Sequence, residues 1–153
     1  MACLEASKLN LIVIISLSAL LGACSSDSGS DGGSDVPDPA AIAAGEALVA
    51  KNVCKSCHGA ADGTLSGQDK PQSGTKAYGV NLTPDTDTGL GDWTTDQIVT
   101  AILTGKDDEG EQLCTTMPVY GQLGMSDADA RNLAAYLKSL APVSHESPES
   151  TCD

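Results

Sequence analysis

Cys54-Lys55-Ser56-Cys57-His58 is the stretch that decides the fold of this 153-residue chain. Two cysteines that are separated by two residues and followed directly by a histidine form the attachment motif of c-type haem. This spacing lets the two thiols reach the two vinyl groups of one porphyrin, while the adjacent imidazole lies under the iron. The motif therefore predicts one covalent haem c that is held by Cys54 and Cys57, with His58 as an axial ligand.

Three other interpretations of the motif are weaker. A thioredoxin-like redox pair would require a βαβ pattern around it, and the sequence shows no such alternation. A plain disulfide between Cys54 and Cys57 would not require His58. A zinc site would need two more ligands, and the candidates are poorly spaced. These candidates are Cys114, Cys152 and His145.

The second axial ligand has three candidates in the sequence, namely Met117, Met125 and His145. His145 lies in a tail rich in Ser, Glu and Pro. Met125 directly precedes a helical segment, where an apolar contact at the helix entry is the usual role. Met117 lies on an irregular stretch between two helical segments, from which a thioether can swing toward the iron. The sequence favours Met117, and its alternative role is that of a buried filler side chain.

Three segments have helical patterns, and no segment shows the alternation of a strand, so we expect an all-α domain. The second helical segment begins with a capping box of Thr94 and Gln97. Ser126 and Asp129 resemble a capping box at the start of the third segment. The predicted helices span residues 39–51, 94–103 and 126–140.

The segment 59–92 is rich in Gly, Asp, Thr and Ser. A loop of this length is uncommon in a small domain unless it has a function. We expect it to wrap the flat cofactor. A few of its apolar and aromatic residues, together with Trp93 directly after it, would then face the porphyrin or its rim. The residues of this set are Tyr78, Val80, Leu82, Leu90 and Trp93.

The composition narrows the range of partners. The chain has 21 acidic and 8 basic residues and a formal charge of −13. This charge argues against nucleic acid as a partner and against electrostatic binding to an anionic lipid surface. A redox partner with a basic patch is the expected complement. The aromatic residues are only three Tyr and one Trp, and we expect the haem to fill the core in their place.

The N-terminal region has the pattern of a targeting segment. Residues 9–21 form an apolar run that is too short to span a membrane but suits a signal peptide. The stretch Leu21-Gly22-Ala23-Cys24 resembles the lipobox of bacterial lipoproteins, in which the cysteine is acylated and becomes the new N-terminus. A buried hairpin helix and ordinary secretion with cleavage near Ala23 are the alternatives.

The region after Cys24 consists mainly of Ser, Gly and Asp, which predicts a flexible tether. The expected organisation is a lipoprotein signal peptide at 1–23, a tether at 24–38 and a haem domain at 39–153. Ser25 resembles the residue that follows the acylated cysteine in outer-membrane lipoproteins. We therefore expect a lipid anchor at Cys24 in a bacterial cell envelope, on the outer membrane facing the periplasm.

Residues 40–142 resemble a class I cytochrome c. The resemblance is greatest to the haem domains of membrane-associated bacterial dehydrogenase cytochrome subunits. Taken together, the shared phrases are far more specific than the haem motif alone. They are Asn81-Leu82-Thr83-Pro84-Asp85, Thr88-Gly89-Leu90-Gly91-Asp92-Trp93, Met117-Pro118, Ser126-Asp127-Ala128-Asp129 and Ala135-Tyr136-Leu137.

The resemblance implies a fold of about three main helices and long loops around one covalent haem. It implies that His58 and Met117 are the axial ligands. It also implies that the first and last helices cross at Gly45 and Tyr136. Three further residues are implied to lie near the haem propionates, and they are Asn81, Thr83 and Trp93.

Cys114 and Cys152 remain after the other cysteines have been assigned, in a compartment that is oxidising. A disulfide between them is the simplest account. It would close a loop of 38 residues (152 minus 114) and tie the tail beside Met117. The loop-entropy treatment gives about 4 kcal/mol of stabilisation for such a loop.

The expected function is that of a membrane-tethered, mono-haem electron carrier and not of an enzyme. The iron would cycle between Fe(III) and Fe(II) among redox partners such as a dehydrogenase, an oxidase or another cytochrome. The alternative is a peroxidase-like haem enzyme or a sensor with a displaceable sixth ligand. No distal His or Arg is apparent beside Met117, because Arg131, the only arginine, falls in the last predicted helix.

Overall fold

Four helices follow one another along the described part of the chain, which is residues 37–152 of the computed structural model. The three long helices agree with the predicted segments to within one residue at each end. The additional helix is a single turn formed by the motif itself, and a turn is too short for a periodic pattern to reveal. The helices are α1 Pro39–Lys51, α2 Lys55–His58, α3 Thr95–Thr104 and α4 Asp127–Ser139.

Side-chain caps determine where the long helices begin. Asp38 caps α1 through its side chain. The predicted capping box opens α3, since the Gln97 amide donates to Thr94 Oγ1 (3.2 Å) and the Thr94 amide donates to Gln97 Oε1 (2.8 Å). At α4, Ser126 Oγ accepts from the Asp129 amide (3.1 Å), but the reciprocal bond is not formed. An Asp side chain is one methylene shorter than the Glu or Gln that closes a capping box.

The core forms where α1 and α3 both pack against α4. The α1–α4 crossing is so close that a Cβ on Gly45 would collide with the Asn132 carbonyl and with the Cβ of Tyr136. The crossing therefore involves the two residues that the resemblance implied. The buried apolar residues of the core are Val49, Leu65, Leu90, Ile98, Val99, Ile102, Ala130, Leu133, Ala134 and Leu137.

The predicted all-α class is confirmed. Residues 37–152 contain no β-strand, only the isolated bridges Lys76–Thr151 and Lys106–Gln112. Within this same range, the helices are all too short or too polar to cross a membrane.

The long segment 59–92 is irregular but well packed. Ser66, Asn81 and Thr83 are its most buried polar residues, at 2% exposure each. The tail after α4 returns along this segment, and the Thr151 amide donates to the Lys76 carbonyl (3.1 Å) near its end. The segment is therefore enclosed between the helices and the tail.

Candidate functional site

A cavity of about 620 Å³ opens beside α2. Its wall is mainly apolar and combines the end of α1, one face of α3, the segment 77–93 and the segment 112–120. The volume lies in the range of about 300–1,000 Å³ that is typical of cofactor sites. The structure brings all six predicted haem-site residues to this wall, namely Cys54, Cys57, His58, Asn81, Trp93 and Met117.

The motif presents two free thiols to the cavity. Cys54 and Cys57 both line the wall, and neither forms a disulfide. They lie within one turn, because the Cys57 amide donates to the Cys54 carbonyl (3.2 Å). Burial is the main cause that raises the pKa of the Cys54 thiol, so this thiol stays neutral against the apolar wall.

His58 is buried and held by a backbone carbonyl. Its Nδ1 atom lies 2.9 Å from the carbonyl oxygen of Val80. A carbonyl only accepts, so Nδ1 carries the proton and Nε2 remains as the nitrogen that can ligate a metal. Burial lowers the pKa of His58, and only the neutral imidazole is a ligand. The side chain is thus prepared in both tautomer and charge.

The residues present fit a haem. Two thiols within one turn, a neutral imidazole and an apolar wall are the groups that covalent attachment and axial ligation require. The zinc alternative lacks support in the described range, where no three His, Cys, Asp or Glu side chains are grouped to hold a metal ion. The loop residues that were expected to face the porphyrin all line the cavity, and they are Tyr78, Val80, Leu82, Leu90 and Trp93.

Residues 42–141 match the sequence profile of the cytochrome c family. The chain belongs to the cytochrome c family. Its cofactor is therefore covalently bound haem c, and its role is that of a haem electron carrier. The fold implied by the resemblance, a class I cytochrome c, is confirmed.

Three characterised proteins illustrate the similarity. A nicotinate dehydrogenase component of Pseudomonas putida is 33% identical over 68% of this cytochrome and 9% of its own length. The gluconate 2-dehydrogenase cytochrome c subunit of Pantoea cypripedii is 32% identical over 76% of this cytochrome and 27% of its own length. A diheme cytochrome c of Cereibacter sphaeroides is 29% identical over 64% of this cytochrome and 36% of its own length. The matched part of this cytochrome thus spans only 9% to 36% of the length of these relatives.

The two methionines occupy different surroundings. Met117 is half-buried and lines the cavity, and its amide donates to the Cys114 carbonyl (2.9 Å). Met125 packs against the hydrophobic core and does not line the cavity. This arrangement fits the sequence-based preference for Met117 as the second ligand and for Met125 as an apolar contact.

Asn81 and Trp93 both lie on the wall, but they differ in what they contact. Trp93 is partly buried against the core. The amide of Asn81 is fully engaged within the protein. Its Nδ2 donates to the Val143 carbonyl (2.7 Å) and to Thr88 Oγ1 (3.0 Å), while its Oδ1 accepts from the amide and hydroxyl of Thr83 (2.9 and 2.8 Å). Asn81 thus joins the loop to the tail.

The remaining assigned cysteines are placed as follows. Cys114 and Cys152 form a disulfide in the structure, with Cα atoms 5.0 Å apart. Cys114 also lies on the cavity wall, as does Cys152. Cys24, with the predicted signal peptide and most of the predicted tether, lies outside the described residues.

Arg131 and His145 both lie away from the cavity. Arg131 forms ion pairs with Asp96 on α3 (2.8 Å) and with Asp127 (2.7 Å). His145 lies with Nε2 3.4 Å from Asp69 Oδ1. Among the residues that line the cavity, His58 is the only histidine and there is no arginine or lysine. The cavity wall therefore lacks the cationic distal group that a peroxidase-like site would use.

The sequence did not reveal two parts of this site. The Val80 carbonyl that orients His58 is a backbone group, so the type of residue at position 80 does not predict this hydrogen bond. The hydrogen bonds between the tail and the loop could not be predicted from the sequence either, since Ser, Val and Glu in a tail indicate no particular contact. A weak signal was Gly79, where a Cβ would collide with the Cys57 carbonyl.

Proposed function

We propose that this cytochrome is a one-haem electron carrier whose iron is ligated by His58 and Met117. The proposal is carried by one observation, which is that Met117 lines the same cavity as the haem motif. Neither Met125 nor His145 lines that cavity. A carrier needs both axial positions filled, because the iron can then change its oxidation state without binding a substrate.

The residues of the wall have distinct roles in this function. When bound, the haem supplies a one-electron Fe(III)/Fe(II) couple. Cys54 and Cys57 hold it in place, and His58 ligates through Nε2 because Val80 occupies its Nδ1. The thioether of Met117 and the apolar wall both raise the reduction potential, since neither favours the extra positive charge of the ferric state.

Absorption spectroscopy of the purified holoprotein tests the ligation. We expect a low-spin spectrum with the weak far-red band that arises from sulfur-to-iron charge transfer. Met117→Ala should lose this band, while the matched control Met125→Ala should keep it. A high-spin ferric spectrum of the unmutated protein, or a band that survives in Met117→Ala, would contradict the proposal.

The electron donor that we propose is a dehydrogenase. The support is that two relatives are named as subunits of a nicotinate and a gluconate dehydrogenase. The acidic charge of the chain and the acidic stretch 107–111 beside the cavity wall favour a partner with a basic patch. Electron-transfer rates with that partner should fall as ionic strength rises, and rates that are independent of salt would exclude this mode of docking.

We also propose that the protein is anchored in a bacterial cell envelope by a lipid on Cys24, on the outer membrane facing the periplasm. The proposed organisation is a signal peptide at 1–23, a tether at 24–38 and the haem domain at 39–153. The support comes from the lipobox-like sequence before Cys24. Metabolic labelling with a fatty acid should mark the unmutated protein and fail to mark Cys24→Ser, and membrane fractionation should locate the labelled form.

A further inference from the structure

We propose that the tail segment 143–152, here called the strap, is a brace that positions both axial ligands of the iron. This inference rests on the proposed ligation by His58 and Met117. The strap is bonded at several points to the loop that holds His58, and its disulfide holds the segment that carries Met117. It therefore joins the two walls of the cavity between which the haem is held.

The strap first supports the histidine side of the cavity. The Val80 carbonyl, which orients His58, belongs to a stretch whose neighbouring residues are each bonded to the strap. These bonds run from the Tyr78 amide to Ser150 Oγ (2.9 Å), from Ser147 Oγ to the Gly79 carbonyl (3.0 Å) and from Asn81 Nδ2 to the Val143 carbonyl (2.7 Å). Val80 is thus held on both sides by the strap.

The strap ends on the methionine side. Cys152 is joined by its disulfide to Cys114, whose carbonyl accepts the Met117 amide (2.9 Å). Only one residue's backbone and one hydrogen bond therefore separate the strap from the ligand residue.

Apart from one bond of 3.4 Å, which the Tyr120 hydroxyl donates to the Asn52 carbonyl at the end of α1, the rest of the Met117 segment is held by α3 and by its C-cap Gly105. The Leu113 amide donates to the Gly105 carbonyl (2.8 Å), and the Tyr120 amide donates to the Ile102 carbonyl (3.0 Å). These bonds fix the segment relative to α3 but not relative to the loop that holds His58. The disulfide connects the segment to that loop through the strap, so the strap contributes to the distance between the thioether and the imidazole.

A brace of this kind changes how easily Met117 leaves the iron. A thioether is a weak ligand, and an external ligand such as imidazole competes with it for the sixth position. The apparent dissociation constant of imidazole therefore reports the fraction of protein in which Met117 is detached. A looser strap should raise that fraction and tighten imidazole binding.

The experiment uses the holoprotein with two sets of variants. Cys114→Ser with Cys152→Ser cuts the strap at its methionine end. Ser147→Ala with Ser150→Ala cuts it at its histidine end and leaves both Met117 and the disulfide in place. Ser144→Ala is the matched control, since Ser144 is exposed on the same tail and forms no hydrogen bond within the described residues.

We expect both double variants to bind imidazole more tightly, by about tenfold for the cysteine pair. Each should also show a weaker far-red band and a lower midpoint potential, whereas Ser144→Ala should match the unmutated protein. If the cysteine pair does not yield holoprotein, the serine pair decides the question by the same readouts. Unchanged imidazole affinity and potential in the serine pair would overturn the brace. A missing band in the unmutated protein would instead overturn the ligation by Met117.

Discussion

The Nδ1 atom of His58 lies 2.9 Å from the carbonyl oxygen of Val80, which is 22 residues further along the chain. This hydrogen bond links the haem motif to the part of the segment 59–92 that is itself hydrogen-bonded to the tail. The orientation of the histidine therefore depends on backbone that is distant in sequence. Four predictions test how the surrounding structure maintains this arrangement.

The approach of Gly79 to the motif is the first feature to test. A Cβ at this position would collide with the carbonyl carbon of Cys57 and approach the Cα of His58. Gly79→Ala should therefore displace the adjacent Val80 carbonyl, speed exchange of the His58 Nδ1 proton and raise the midpoint potential, because an imidazole without this acceptor is a weaker donor to ferric iron. NMR and redox titration of the holoprotein measure these effects.

Gly74→Ala is the control for Gly79→Ala. Gly74 has a φ of 78° but open space around its Cα, so its replacement strains only the backbone, by about 1–2 kcal/mol. It should leave proton exchange and potential unchanged. Equal effects of the two substitutions on His58 would contradict the role assigned to the close approach.

The buried amide of Asn81 is the second feature. Asn81→Leu keeps a similar volume but leaves the Thr83 amide without its partner and removes the shorter of the two hydrogen bonds to the Val143 carbonyl. Each polar group left unpaired should cost about 1–3 kcal/mol in the free energy of unfolding. Denaturant unfolding of the holoprotein measures the loss. Gln122→Leu, at an exposed position, should cost far less, and a similar cost for both would refute the structural role of the amide.

The α1–α4 crossing is the third feature. Gly45→Ser should force the two helices apart, because the added Cβ meets the backbone of Asn132. Overpacking of this kind costs about 1–3 kcal/mol. Ala47→Ser introduces the same side chain on an exposed face of α1 and should cost only the difference in helix propensity, at most about 0.7 kcal/mol. Thermal unfolding that ranks the two variants equally would show that the crossing tolerates a side chain.

The carboxylate of Asp85 is the fourth feature. The hydroxyl and amide of Thr88 donate to its Oδ1 (2.7 and 2.9 Å) and hold the pKa of this carboxyl below its usual value. Because the pKa is lower in the folded state, the bonds stabilise the fold above pH ~4, the ordinary value for Asp. That stabilisation is lost as the pH falls through the folded pKa.

Asp85→Asn should therefore lower the stability most at neutral pH, and the difference from the unmutated protein should shrink at pH ~3. Urea unfolding at both pH values measures the difference. Asp87→Asn removes the same charge at an exposed neighbour and is the control. A deficit for Asp85→Asn that is the same at both pH values would contradict the assigned cause.

Local sequence patterns predicted the haem motif and the starts of the long helices. The haem motif identifies its cofactor because thiol and imidazole chemistry requires those residue types at that spacing. Thr94, Gln97 and Ser126 marked helix starts correctly because caps act on amides only two or three residues away. Of the two hydrogen bonds expected for a capping box at Ser126 and Asp129, only the one to Ser126 Oγ forms. The reciprocal bond does not form, because the Asp side chain is shorter than that of Glu or Gln.

Other features were decided only when distant segments came together. No local pattern predicts that the Val80 carbonyl accepts from His58, or that the Asn81 side chain donates to the Val143 carbonyl in the tail. These bonds form with backbone groups that every residue possesses, so residue types carry no record of them. The sequence by itself therefore determines the haem-binding chemistry, because the motif places the required side chains at short spacing. The contacts that orient these side chains depend on the tertiary structure, because they form only when the tail packs on the loop.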